Sequence, residues 1–289
     1  MQVRTGCKRS RICTYTFWEG VRWDACWPKR QHDTTLQSFP ALSDGGPTGY
    51  ATRPLINHIS ERQVTKFQRF SVYVLPDPPL ADVGAAWLGW DNAAGRPAEH
   101  PRFENLDVAS VTAIPRKYGL HGTIKPPFFL PPGRSPDDLQ QAFAELCSQL
   151  PPVSTERLEL RSMGSFLALA PLGSTAALAS LAAHVVQELD QFRAPPTDEE
   201  LARRNPDKLS PTQLNNLQRW GYPYVMDAFR FHITLTGPLN KSLRERTKAI
   251  LRPLFEPTLT DPFTVNNLSL CGQDEHGMFH QIDRKTLTG

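Results

Sequence analysis

The tripeptides His121-Gly122-Thr123 and His232-Ile233-Thr234 each place an imidazole two positions before a hydroxyl, and the two copies stand far apart in the chain. Side chains alternate across a β-strand, so within each tripeptide the histidine and the threonine share a face. An imidazole with an ordinary pKa of about 6.5 has both its proton-accepting and its proton-donating form available near neutrality. Two of them facing one cleft would supply a base to activate water and an acid to protonate a departing alkoxide, the groups that opening a cyclic phosphodiester requires. The threonine hydroxyls would donate hydrogen bonds to the non-bridging oxygens. No metal or other cofactor is called for, and either histidine could be the acid.

A single His-x-Ser/Thr match carries little weight, because eight histidines are present and about one such match is expected by chance. His58-Ile59-Ser60 is that decoy: Glu61 follows it and no periodic segment surrounds it. The other two copies continue into Ile124 and Leu235 and end at Pro126 and Pro238, as strands do.

The elements that must position these residues recur in the same order. Phe67 to Leu75 alternates with the period of a half-buried strand and is stopped by Pro76. A Trp87-Leu88-Gly89-Trp90 loop and a short helix near Leu106 to Ala113 follow, then the strand bearing His121. Ser135, Pro136, Asp137 and Asp138 mark the start of an amphipathic helix with stripe Leu139, Ala142, Phe143, Leu146 and Leu150. A strand over Arg157 to Arg161 completes the first half.

From Gly164 the order repeats. An apolar strand over Phe166 to Ala170 precedes a helix over Ala176 to Phe192, and a polar, proline-bearing helical insertion runs from Thr197 to Arg219. The strand bearing His232 follows. Ser242 and Glu245 can cap the next helix, and Phe263 to Leu270 alternates as a last strand. The expected architecture is α+β and bilobal: lobes of about residues 67–163 and 164–289, related by a pseudo-two-fold, each with a small antiparallel sheet and flanking helices, and a cleft between them. Exchange of strands between the lobes is left open.

On these residues, the runs YGLHGTIKPPF and RWGYPYVMDAFRFHITLTGPL resemble the two-histidine (2H) phosphoesterase superfamily, and within it the branch associated with phosphonate metabolism. The likeness extends from about Phe67 to the C-terminus. It implies hydrolysis of cyclic or 2′,5′ phosphodiesters, with His121 and His232 as the catalytic pair and Thr123 and Thr234 as their hydroxyl partners. The substrate it implies is a small cyclic phosphate of a nucleotide or ribose. Gly122 departs from the larger residue usual between histidine and threonine, and close approach of the backbone to a ligand is one expectation for it.

Among flanking residues, Lys125 and Arg230 have the strand parity of His121 and His232 and are expected to add positive charge near a phosphate. Tyr118, Tyr222 and Tyr224 are candidates to stack on a base or sugar or to orient a histidine. Phe128 and Trp220 are expected in the core. His184 reads as the boundary of a helix face. His276 and His280, with Asp274 and Glu275, lie in a segment whose glycine and glutamine favour a turn over a metal site.

Composition excludes several alternatives. The chain has 289 residues, 39% apolar and 21% charged, with a net charge of +3, an ordinary balance for a globular protein. Positions 1–66 carry ten Lys/Arg against five Asp/Glu, and the remainder 22 against 24. The motif-bearing part therefore lacks the basic excess of a nucleic-acid binder. Positions 1–66 show no helical or strand period and are expected to be a disordered or non-native N-terminal extension.

Five cysteines, an odd number, offer no disulfide framework. Cys7, Cys13, Cys26 and His32 match no paired zinc-ligand spacing. No run reaches the roughly 20 apolar residues of a membrane span, and Ile12 to Trp18 is too broken for a secretory signal. A cytoplasmic monomer acting on a small phosphorylated substrate, with no membrane partner, is expected. Two other readings use the same cleft: a module that binds RNA ends or a nucleotide without turnover, and an RNA-end ligase.

Overall fold

A computed structural model describes residues 66–289. The expectations for the N-terminal extension, including its cysteines, His32 and His58, lie outside the described residues. In chain order the elements are β1 (Arg69–Val74), α1 (Leu80–Leu88), β2 (Trp90–Asp91), β3 (Arg96–Pro97), α2 (Val108–Val111), β4 (Gly122–Phe128), α3 (Pro136–Gln149), β5 (Val153–Thr155), β6 (Leu158–Met163) and β7 (Phe166–Pro171). Then come α4 (Ala176–Glu188), α5 (Asp198–Arg203), α6 (Pro211–Trp220), β8 (Ile233–Thr234), α7 (Lys241–Phe255), β9 (Phe263–Val265), β10 (Asn267–Gln273) and β11 (Phe279–Thr286).

The fold is α+β. Its seven-stranded sheet runs β11-β10-β1-β4-β8-β7-β6, and every pairing in it is antiparallel. The two motif strands, β4 and β8, are neighbours at its centre. Gly122 pairs with Ile233, the residue at its own place in the second copy, so the pseudo-two-fold passes through that pair. Outward from it, β1 flanks β4 as β7 flanks β8, and β10 lies beyond β1 as β6 lies beyond β7.

The strands therefore cross between halves. β6 follows the first half's helix α3 but pairs with β7, and β10 follows α7 but pairs with β1. The short strands β5 and β9 pair with each other, and Ser154 and Thr264 share a hydroxyl hydrogen bond of 2.9 Å between matched positions. Each half completes the other's sheet, which ties the two motifs into one body.

Helices close the apolar face in the same reciprocal way. α3 packs on β10 and β11, whereas α7 packs on β6 and β7. The indole of Trp87 in α1 donates to the Leu235 carbonyl in the second half, at 2.8 Å, and Lys125 in β4 donates to the Val186 carbonyl of α4, at 3.1 Å. Phe70, Val72, Val74, Phe231, Ile233, Leu139, Leu181 and Leu251 share one buried core. Burial of this kind is the main force holding sheet and helices together.

Local signals set several boundaries. Ser135 and Asp138 form a reciprocal capping box at α3, as do Thr197 and Glu200 at α5 and Ser210 and Gln213 at α6. α7 starts two residues earlier than expected, because the Asn240 side chain, and not Ser242, accepts from the Leu243 amide. Trp87 and Leu88 belong to α1, where a loop was expected. Gly89 ends that helix with φ of +76°, a conformation that favours glycine. The strand expected over Phe263 to Leu270 is split into β9 and β10, and β11 forms a hairpin with β10. Among the described residues, no helix is long and apolar enough to cross a membrane.

Candidate active site

Gly122 and Ile233 are matched, so antiparallel register sets His121 opposite Thr234 and Thr123 opposite His232. Each histidine thus faces the threonine of the other copy. All four side chains lie on the sheet face opposite buried Ile233, and all four line one cleft of about 150 Å³. The two histidines are diagonal neighbours, which by strand geometry separates them by about 7–8 Å. That spacing leaves room for a phosphoryl group between them.

The same local device orients both rings. Nδ1 of His121 bonds the Gly119 carbonyl at 3.0 Å, and Nδ1 of His232 bonds the Arg230 carbonyl at 2.8 Å. A carbonyl only accepts, so Nδ1 carries the hydrogen in each ring. Nε2 is then the nitrogen through which each ring can take up or give a proton.

The surroundings differ. His121 lies 4.2 Å from the Tyr73 ring and 5.5 Å from that of Tyr118, measured between centroids. Burial pushes its imidazole down to about 4, against the bond to Gly119 and helped by repulsion from His232. His232 has Phe166 at 5.8 Å and also lines a wider cavity of about 850 Å³, shared with Lys208, Tyr222, Tyr224 and Arg230.

Of the flanking residues singled out in the sequence, Tyr118 lines the small cleft, Tyr224 and Arg230 line the wide cavity, and Tyr222 lines both. Tyr118 stacks on Phe279 at 5.0 Å, and burial raises its hydroxyl pKa while Arg69 and Arg204 lower it. The Arg230 guanidinium donates to the Phe229 carbonyl at 2.7 Å.

Lys125 is not in the site. Tyr73 pairs with Thr123 whereas Val72 pairs with Lys125, so β4 carries one extra residue between them. This bulge inverts the alternation that placed Lys125 beside His121. Its ammonium is buried at 2% exposure, 3.7 Å from Asp190, under α4. Burial draws its pKa down to about 8 despite Asp190.

The expectation for Gly122 also changes. A Cβ there would stand 2.3 Å from Cζ of Phe231, on the core face. The close approach is to that ring and not to a ligand. Trp220, expected in the core, is only half-buried and lies against Arg219, whose Cζ is 4.6 Å from its ring. Phe128 is buried and His184 exposed, as expected. His280 bonds Asp274 at 2.8 Å, and Asp274 also accepts from the His276 and Met278 amides, which secures the β10–β11 turn. Among the described residues, no group of three or more His, Cys, Asp or Glu side chains is placed to hold a metal ion.

Sequence reading missed Arg69, Tyr73, Thr236 and Arg204, which line the small cleft. Strand parity signals Tyr73 and Arg69, since both alternate onto the face opposite Val72. Arg204, at the end of α5, comes from the polar insertion and has no signal in its own neighbourhood.

Comparisons with known proteins bear on the chain as follows. Two relatives are each named ribose 1,5-bisphosphate phosphokinase PhnN. The one from Janthinobacterium sp. (strain Marseille) is 35% identical over 199 residues, 67% of this chain and 43% of that protein. The one from Laribacter hongkongensis (strain HLHK9) is 30% identical over 221 residues, 75% of this chain and 51% of that protein. The chain thus spans about half the length of these relatives. Among solved structures, Escherichia coli LigT complexed with NADP+ aligns over 78% of this chain and 100% of its own, at 16% identity and a TM-score of 0.36. The model of a family described as "Protein of unknown function (DUF1045)" matches residues 123–280, a span that holds Thr123, His232 and Thr234 and begins two residues after His121. The chain belongs to the DUF1045 family.

Proposed function

We propose that this protein is a metal-independent phosphodiesterase that opens a cyclic phosphodiester of a ribose or nucleotide by paired general acid–base catalysis. The observation that carries the reading is the diagonal pair of imidazoles, each with Nδ1 tied to the carbonyl two residues before it and each facing the other copy's threonine. A phosphoryl group between them meets one nitrogen on either side. The likeness of the paired motifs to two-histidine phosphoesterases supports the same chemistry.

In the proposed reaction, neutral Nε2 of His121 takes a proton from water as its oxygen bonds to phosphorus. The bond from phosphorus to the departing sugar oxygen breaks, and Nε2–H of protonated His232 gives its proton to that alkoxide. One water is consumed and the product is a phosphomonoester. Thr123 and Thr234 donate hydrogen bonds to the non-bridging oxygens, where charge develops. His121 takes the base role because burial holds it neutral. His232, beside the wider cavity, can be reprotonated from solvent.

The name of the two longer relatives makes a ribose phosphate the first substrate to try. Ribose 1,2-cyclic phosphates and nucleoside 2′,3′-cyclic phosphates should be incubated with the protein in the presence of EDTA and followed by phosphorus NMR. Conversion of the cyclic resonance to that of a monoester, lost in the His121→Ala/His232→Ala protein, is the expected result. Binding without turnover would favour a nucleotide- or RNA-end-binding module, and formation of a diester from separate ends would favour a ligase.

A further inference from the structure

The small cleft holds a charge arrangement that the paired histidines do not require. Arg69, at the start of β1, and Arg204, at the end of α5, both line it, and among the described residues no carboxylate does. Neither arginine forms an ion pair among the described residues. Arg69 donates through Nε to Gln273 Oε1 at 2.6 Å, which leaves its terminal amino groups available. Arg204 lies over the Tyr222 ring at 4.6 Å. Elsewhere in the molecule arginines of similar burial are matched, as Arg193 is with Asp190 at 2.7 Å and Arg284 is with Asp77 at 2.6 Å.

Burial raises the Tyr118 pKa, but Arg69 and Arg204 both lower it, which sets both charges near that wall of the cleft. Lys117 stands 5.0 Å from the Tyr118 ring, and burial together with Arg69 draws its ammonium pKa down to about 8. Two guanidinium groups lining one cleft, with no carboxylate beside them among the described residues, favour an anion, and their planar forks suit phosphate oxygens.

The position separates this charge from the reacting phosphate. Tyr73 pairs with Thr123, and Arg69 lies four residues before Tyr73 on the same strand face, about 13 Å away along the strand. An arginine side chain does not cover that distance, so atoms of the ligand must lie between the threonine hydroxyls and the guanidinium. A sugar ring fits such a gap, since the cleft is about 150 Å³.

We infer that Arg69 and Arg204 form a second anion site, which binds a phosphomonoester carried by the same small sugar whose cyclic phosphate lies between His121 and His232. The inference rests on the proposed phosphodiesterase reading and narrows its substrate class to sugars bearing two phosphates.

Two measurements separate this claim from that reading. In turnover, Arg69→Met and Arg204→Met should each lower kcat/KM for a ribose 1,2-cyclic phosphate bearing a 5-phosphate about 10- to 100-fold more than for the same compound without it, the range of a lost charge-assisted hydrogen bond. In binding, calorimetry on the His121→Ala/His232→Ala protein compares ribose 1,5-bisphosphate with ribose 1-phosphate, which lacks the 5-phosphate, and does not depend on hydrolysis. At least tenfold tighter binding of the bisphosphate, abolished by the arginine substitutions, is expected. No preference, or a preference that survives both substitutions, overturns the site whether or not the protein is a hydrolase. Should Arg69→Met fail to fold, Arg204→Met breaks no hydrogen bond within the described residues and decides the question alone.

Discussion

The two halves of the sheet carry the same tripeptide in unlike surroundings. Around His121 the ring is enclosed by Tyr73 and Tyr118 and opens only to a small cleft, whereas His232 lies between that cleft and a cavity more than five times larger. Ring orientation is identical in kind, since both Nδ1 atoms bond a carbonyl two residues back. Duplication thus supplies the matched geometry of the pair, and divergence of the walls buries His121 and lowers its pKa, the asymmetry on which the proposed direction of proton transfer rests. A symmetric site would have no preferred base.

The strongest way to break this comparison outside the histidines is to remove the hydroxyls. Thr123→Val and Thr234→Val should each lower kcat about 10²- to 10³-fold, with thermal stability nearly unchanged, as lost donors to a developing oxyanion do. Equal losses would extend the symmetry to charge stabilisation, and an unequal pair would show that the phosphate lies closer to one strand.

A pH profile sharpens the contrast between the rings. A base held down to about 4 stays neutral as pH falls through 6.5, so the acid limb of kcat/KM should lie well below 6.5. Tyr118→Ala, which exposes His121 to water, should move that limb upward. The same depression affects stability. The unfolded chain protonates His121 near 6.5 while the native one does not, so this histidine's contribution is lost as pH falls from about 6.5 to about 4.

The smallest expected effect concerns the pair on the pseudo-two-fold itself. Gly122 has no room for a methyl group because Phe231 occupies it, whereas Ile233 at the equivalent place is fully buried and fills space. Gly122→Ala should cost about 1–3 kcal/mol in urea denaturation, and Phe231→Leu in the same chain should recover part of it.

How far the sequence speaks depends on the range over which each feature is decided. The paired His-x-Thr copies, the N-cap at Ser135 and the repeated order of elements are legible, although each histidine stands one residue before its strand. Which strand lies beside which is decided by non-local pairing: nothing near β6 or β10 signals that each completes the opposite half. Lys125 was misplaced because one inserted residue in β4 reverses strand parity, and a bulge has no obligatory residue type. Gly122 looked like a ligand contact because its neighbour Phe231 comes from the other half of the chain, just ahead of β8. Arg69 and Arg204 lie on separate elements, so only the folded chain brings them to one cleft.

The most direct test of the central claim is a double-mutant cycle on the histidines, measured as kcat/KM on the best cyclic substrate. His121→Ala and His232→Ala should each lower the rate about 10²- to 10⁴-fold, and the doubly substituted protein should fall within about tenfold of the worse single variant, because a base and an acid that serve one step act as a unit. Turnover that survives either substitution, or losses that multiply in the double variant, would contradict the account.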